Sequence, residues 1–413
     1  MSDNRSLFPQ ESDVAVNPFN AFNVARLPEI RFGSGTFDDL APLIRGYGRR
    51  LLLVTGRRSL QQTGRWQHLL EALRANDIDW QQTVVDGEPS PELVDAAVAS
   101  HRNADIEVVA GIGGGSVLDA AKAIAGLLRP GNSVMDHLEG VGRGLPYRGP
   151  TVPFIAVPTT AGTGSEATKN AVLSRQGTEG FKKSFRDDRL IAALAVVDPS
   201  LLSGCPKNLI AANGMDAFTQ LLESYVSLRA SPFTDALASS GMQAFRDGFW
   251  QAWRDDDVLA QQGFQRLAYA SLCSGITLAQ CGLGSVHGLA SPLGAFFPIP
   301  HGVVCGTLVA AATRVNIAAL RQREPRNPAL QKYAEAGILL SGRMFSSEQA
   351  AQDGLVELLE DWTERLALPR LGGFGMTTDD IDRVVANCRG GSMQTNPLVL
   401  EDAELADLLR TRL

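Results

Sequence analysis

Histidine and cysteine are both scarce: each occurs five times in 413 residues. The cysteines, Cys205, Cys273, Cys281, Cys305 and Cys388, are odd in number, far apart and without a C-x-x-C pair. That usage excludes a disulfide framework or zinc knuckle and suits free thiols in a reducing compartment. Basic charge is not in excess, since 38 Lys+Arg stand against 45 Asp+Glu for a net charge of −7. A chain without a positive stripe is not expected to bind nucleic acid. The first residues, Met1-Ser2-Asp3-Asn4-Arg5-Ser6, carry no apolar core of a secretory signal. No continuous apolar run approaches the ~18–20 residues that a membrane span needs, so the expectation is a cytoplasmic protein with no membrane partner. There is no internal repeat and no low-complexity tract. What remains is an ordinary globular balance, 44% apolar and 20% charged, which excludes wholesale disorder and leaves a small molecule as the expected partner. At this length two or three domains are expected.

Glycine, by contrast, is plentiful at 41 residues, and where it clusters is informative. Residues 1–20 read as a polar tail. From residue 21 to about 200, short apolar runs alternate with helical patterns: Leu51–Val54, Thr83–Val85, Ile106–Ile112, Phe154–Val157 and Ala195–Val197 as strands, and Ser59–Ala75, Glu92–Ser100 and Ser116–Leu128 as helices. Continuous apolar strands separated by helices predict an α/β domain with a Rossmann-like parallel sheet. Ile30–Gly35 reads as a hairpin signal. Beyond Asp198-Pro199 the β-branched runs give way to helical spacing over Asn208–Ser227, Pro232–Trp250, Leu259–Gln280, Gly302–Asn316, Asn327–Ser341 and Ala350–Leu366, which predicts an all-α domain over 201–413.

The run Ile106–Lys122 passes from a strand through Gly113-Gly114-Gly115-Ser116 into a helix. Such a loop offers free backbone N–H groups and a positive dipole end to a pyrophosphate; it also serves, more simply, to pack a helix on a strand. Ser116 and Asp119 have capping-box spacing. A second loop at a strand end, Pro158–Thr168, brings the uncharged donors Thr159, Thr160, Thr163 and Thr168 to the edge where open α/β sheets bind ligands. In the helical half, His287 and His301 stand among small and apolar residues with no charged neighbour in sequence, and Asp216 and Gln220 share one helix face four residues apart. Imidazole is the commonest zinc and iron ligand, though a single histidine more often satisfies structure. His68, His101 and His137 have no assignable role.

Gly113–Ser116 with Asp119 and Lys122, the Pro158–Ser165 loop, Val197-Asp198-Pro199, Gly214–Thr219, the two histidine segments and Asn396-Pro397 follow in an order and spacing that resembles the iron-containing, metal-dependent alcohol dehydrogenases over nearly the whole chain. The resemblance implies a dehydroquinate-synthase-like architecture: an N-terminal dinucleotide-binding α/β domain, an all-helical C-terminal domain, and cofactor and metal between them. It implies reversible hydride transfer between an alcohol and an aldehyde or ketone using NAD(P), with a metal polarising the substrate oxygen, in a homodimer or larger assembly. Carried over by position, Gly114, Gly115, Ser116, Asp119, Thr159, Thr160, Thr163, Thr168 and Lys182 are expected cofactor contacts, joined by Gly56 and Arg57 beyond the first strand. Asp216, Gln220, His287 and His301 are the expected donors for iron or zinc, and no catalytic residue is assigned beyond them.

Two positions depart from the family pattern. Gln220 and Ser291 stand where its members usually carry histidine, the second at a position implicated in proton transfer. A carbonyl oxygen is a harder, weaker ligand than imidazole for iron or zinc, so a weakly held or differently selective metal is expected. After Leu51–Val54 comes Thr55-Gly56-Arg57-Arg58-Ser59, with no acid for the adenosine ribose and two arginines for a 2′-phosphate, so the expected dinucleotide is NADP. Two other readings use the same features: a dehydroquinate-synthase-like or polyol-phosphate enzyme on this fold, which would need a basic cluster that the helical half does not display, or a metal-depleted, non-catalytic relative.

Overall fold

Along β2 (Arg50–Gly56) successive side chains point to opposite faces, and both faces are buried: Leu51 and Leu53 join one apolar cluster, Leu52 and Val54 another. A strand of this kind belongs inside a parallel sheet covered on both sides. The computed structural model describes residues 21–413 except Arg58, Ser59, Gln62, Asp255 and Asp256. The expected tail over 1–20 and two of the residues expected at a 2′-phosphate, Arg58 and Ser59, lie outside the described residues.

The sheet is six-stranded and parallel. β1 (Glu29–Phe32), β3 (Asp79–Val85), β4 (Val108–Gly113), β5 (Phe154–Pro158) and β8 (Leu194–Val197) join β2 in the order β1-β8-β5-β4-β2-β3. α1 (Leu40–Arg45) and α2 (Gly64–Ala75) pack with Leu51 and Leu53 on one face; α3 (Pro91–His101) and α4 (Gly115–Leu127) pack with Leu52 and Val54 on the other. The Ile30–Gly35 segment is not a hairpin. Its strand pairs parallel to β8, Glu29 opposite Leu194, and Gly35 and Phe37 donate backbone N–H to the Asp198 carboxylate. The hairpin lies elsewhere: β6 (Asn170–Arg175) and β7 (Phe181–Arg186) form an antiparallel pair whose mixed, half-exposed residues gave no strand signal.

The helical half comprises α5 (Lys207–Val226), α6 (Pro232–Ala252), α7 (Asp257–Cys281), α8 (Ser285–Phe296), α9 (His301–Arg323), α10 (Pro328–Ser341) and α11 (Glu348–Arg365), with the shorter α12 (Ile381–Ala386) and α13 (Asp402–Thr411). The sequence pattern hides α8, because Gly288, Pro292 and Gly294 interrupt it. Yet α8 is among the most completely buried of the helices, and its small residues let neighbours close in: a Cβ on Gly288 would come within 2.8 Å of Met393. α9 also exceeds expectation. It is long and apolar enough to cross a membrane, but 78% of its apolar window is buried inside the molecule, as in a core helix. The helical core runs on to the sheet through Ala195 and Val197 of β8.

Candidate active site

Strand order fixes where a ligand crevice opens. The chain leaves β2 for β3 in one direction and returns to place β4 on the other side of β2, so the carboxyl ends of β2 and β4 flank the switch point. Gly56 ends the one strand and Gly113 the other.

Beyond Gly113, α4 begins at once. Its N-cap is Gly114, with no side-chain cap, so the expected Ser116/Asp119 capping box does not form. Asp119 turns away because it has stronger partners: its carboxylate accepts from Ser165 Oγ at 2.5 Å and from Val172 N at 3.1 Å, with Lys122 Nζ at 3.6 Å. Lys122, fully buried, donates to Ser165 O, Ser165 Oγ, Thr168 Oγ1 and Asn170 O. Burial pushes the Asp119 carboxyl up and the Lys122 ammonium down in pKa. Asp119, Lys122 and Thr168 thus buckle the second loop to α4.

The glycines themselves join protein to protein. A Cβ on Gly114 would meet Thr160 Oγ1 at 3.2 Å, one on Gly115 would meet Thr163 at 2.6 Å, and one on Gly113 would meet Val117 at 2.6 Å. Thr159 N donates to Gly113 O. The two loops therefore lie in contact at neighbouring strand ends, with Gly115, Ser116 and Thr163 lining a cleft of about 400 Å³. Gly164, at φ +59°, rests on Gly275 of α7 so closely that a Cβ on Gly275 would fall 2.1 Å from Gly164 O. That seam sets the loop against the helical half.

The same cleft is lined from the other side by Gln220, His287, Ser291 and His301. Asp216, on α5, is buried. His287 Nε2 lies 3.2 Å and His301 Nε2 3.7 Å from its Oδ1, although the three come from three helices. Burial opposes ionisation of Asp216, but His301 and His287 hold its pKa down to about 2. Burial brings His301 down to about 4, and its Nδ1 is buried without a hydrogen-bond partner. For His287, burial works against the charged form, yet Cys305, Asp216 and Glu223 outweigh it and raise the pKa. The local absence of charge around the histidines in sequence is thus made good in space.

Two members of the cluster were missed by sequence reasoning. Glu223 accepts from His287 Nδ1 at 2.7 Å and from Val286 N at 2.6 Å, which fixes the ring with Nε2 toward Asp216. It stands seven residues after Asp216 on the same face of α5, and that spacing was its one sequence signal. Cys305 Sγ lies 3.5 Å from His287 Nε2 and 3.8 Å from His301 Nε2, one turn after His301 on α9. Burial pushes its thiol up to about 12. Asp216, His287, His301 and Cys305 each offer a donor atom within 4.8 Å of the others. A buried carboxylate, two convergent imidazoles and a carboxylate behind one of them are the donor chemistry of a divalent metal site.

Gln220 stands beside this cluster with both ends engaged: Nε2 donates to Asp216 Oδ1 at 3.2 Å and Oε1 accepts from Ser274 Oγ at 2.9 Å. Ser291 donates to Lys182 O at 3.0 Å, and Lys182 Nζ pairs with Glu88 at 2.6 Å. Glu88, which Ser174 also supports, was likewise missed. At the far end, Arg57 pairs with Asp86 just beyond β3, so the adenosine end is not free of acid as the sequence around β2 suggests. Phe181, Phe296 and Phe297 pack against the cores, and none of the three lines the cleft.

A model for "Iron-containing alcohol dehydrogenase" matches residues 28–199, and one for "Fe-containing alcohol dehydrogenase family, C-terminal" matches residues 210–413. The chain is 32% identical to long-chain-alcohol dehydrogenase 1 of Geobacillus thermodenitrificans over 392 residues, 93% of this chain and 95% of that one. It is 29% identical to alcohol dehydrogenase 4 of Saccharomyces cerevisiae over 387 residues, 92% and 95% of the two chains. The crystal structure of a 1,3-propanediol oxidoreductase superposes with a TM-score of 0.85 at 27% identity, covering 95% of this chain and all of that one.

Proposed function

The chain belongs to the iron-containing alcohol dehydrogenase family, and on that premise we propose that it moves a hydride reversibly between an alcohol and NADP, with a divalent metal held by Asp216, His287 and His301. One observation carries the reading: the donor atoms of these residues converge on the same cleft that Gly115, Ser116 and Thr163 line at the strand ends. A metal held there would supply Lewis acidity, lowering the pKa of the alcohol.

The chain's own residues prepare that chemistry. Asp216 stays ionised and His301 neutral near pH 7, so both present lone pairs. Glu223 holds the His287 ring with Nε2 toward Asp216, and Gln220 donates to Asp216. The Ser291 hydroxyl donates its hydrogen bond to Lys182 O, which leaves its oxygen as an acceptor toward the cleft. The Glu88–Lys182 ion pair lies beside it. The two loops would hold the dinucleotide with backbone N–H and hydroxyl groups rather than with charge.

NADP is favoured because Gly56 places no carboxylate at the end of β2 and Arg57 stands next to it. Its pair with Asp86 is exposed, 63% and 66% for the two side chains, and so is weak enough to exchange for a 2′-phosphate. Metal analysis and a screen of alcohols and aldehydes with both dinucleotides test the reading. kcat/KM should be higher with NADP(H) than with NAD(H), and Arg57→Ala should lower it about tenfold for NADP(H) alone. A preference for NAD(H) refutes the dinucleotide assignment, and a protein inactive with every alcohol at full metal loading refutes the activity.

A further inference from the structure

With histidine absent at 220, the metal is left with three donors from the expected set, and the cluster holds one further candidate. We propose that Cys305 supplies the fourth donor, making the site an Asp216-His287-His301-Cys305 set that prefers zinc to iron. This rests on the metal-dependent reading above and adds to it the identity of a ligand and the selectivity that follows.

Geometry is the first support. Around a tetrahedral zinc, with bonds of about 2.0–2.1 Å to nitrogen or oxygen and 2.3 Å to sulfur, donor atoms stand about 3.3 Å apart for the N/O pairs and about 3.5 Å for S to N. The cluster already has nearly those edges: 3.2 and 3.7 Å from Asp216 Oδ1 to the two Nε2 atoms, and 3.5 and 3.8 Å from Cys305 Sγ to the same nitrogens. Little movement is needed to seat the ion.

Comparison with the other thiols is the second. Buried Cys281 and Cys388 lean on main-chain carbonyls of their own helix or turn, Thr277 O and Val385 O, as structural cysteines do. Cys305 instead faces both imidazoles. Gln220, meanwhile, spends its amide on Asp216 and Ser274.

Charge is the third. On binding, the thiol gives its proton to solvent and the sulfur lone pair forms the metal bond. Carboxylate plus thiolate then cancel the dication exactly where burial penalises net charge. Thiolate with imidazole in a tetrahedron suits zinc, whereas three imidazoles and a carboxylate serve iron as well.

The full chain loaded with cobalt(II) tests this directly. Wild type should show the near-ultraviolet thiolate-to-cobalt charge-transfer band, Gln220→Ala should keep it, and Cys305→Ser should lose it. In competitive chelation the serine variant should bind zinc more weakly, by more than the roughly 10–100-fold that loss of an outer hydrogen bond costs. X-ray absorption at the zinc edge of the wild type needs no variant and should find one sulfur at about 2.3 Å. Cobalt or zinc bound without a charge-transfer band or sulfur shell overturns the Cys305 assignment and leaves the metal reading standing. Failure of the wild type to bind either ion overturns both.

Discussion

Glu166 sits in the loop that α7 holds in place, 2% exposed, and burial raises its pKa to about 7 from 4.5, with Lys122 only partly opposing. The unfolded chain releases that proton near 4.5 while the folded chain keeps it to about 7. In that window the unfolded state binds fewer protons, so stability falls as pH rises through it, by up to about 3 kcal/mol, and is level above. Glu166→Gln mimics the protonated form. It should melt with the wild type below the window and several degrees above it on the alkaline side, in thermal unfolding followed by circular dichroism; parallel pH profiles for the two proteins would contradict the assignment. The sequence named the loop around Glu166 but said nothing of the residue, because a pKa depends on what folds over a group. Glu223 teaches the same: three residues past Gln220 it reads as one more helix acid until α8 brings His287 against it.

At the scale of elements, the contact between Gly164 and Gly275 governs how the threonine-rich loop meets α7. Only hydrogen fits at position 275, with Gly164 O 2.1 Å from where a Cβ would be. Gly275→Ala should therefore cost about 1–3 kcal/mol through overpacking and, by lifting the loop, raise KM for the dinucleotide more than it lowers kcat. Unchanged stability and KM would mean that the loop does not depend on this seam. The elements legible in the sequence were those with an uninterrupted period: the inner strands, α3, α4 and the long helices. Those that escaped had their pattern broken. α8 carries two glycines and a proline inside its span, and β6–β7 alternates around half-exposed polar residues. The strand β1 was mistaken for part of a hairpin because Gly33 and Gly35 follow it, whereas its partner β8 lies more than 160 residues away and no local signal reports that pairing.

For the whole molecule, three helices distant in sequence contribute the proposed metal donors, so an ion bound to the folded chain alone would tie them together. Such binding adds about 2.7 kcal/mol when free metal is a hundredfold above Kd, which at this size is a rise of a few degrees in Tm. Stripping with a chelator should lower Tm and zinc should restore it, read by scanning calorimetry; a Tm indifferent to both would argue against a metal seated among α5, α8 and α9. The division into an α/β half and a helical half could be read from sequence because burial on both faces and burial on one stripe leave different periodicities. The cleft between them could be read only through motifs, since it forms where distant segments meet.

The proposed dinucleotide contacts all stand in the α/β half, on strands, their loops and the first turns of α4, while the proposed carboxylate, imidazole and thiol donors all stand on helices α5, α8 and α9. No residue serves both tasks. On this reading, substitution at positions 56 and 57 alters coenzyme preference without reaching the proposed metal site, and substitution at 220 or 305 alters that site without reaching the coenzyme. A fold arranged in this way lets the two properties change separately, so that a glutamine at 220 places no demand on the glycines at 113–115.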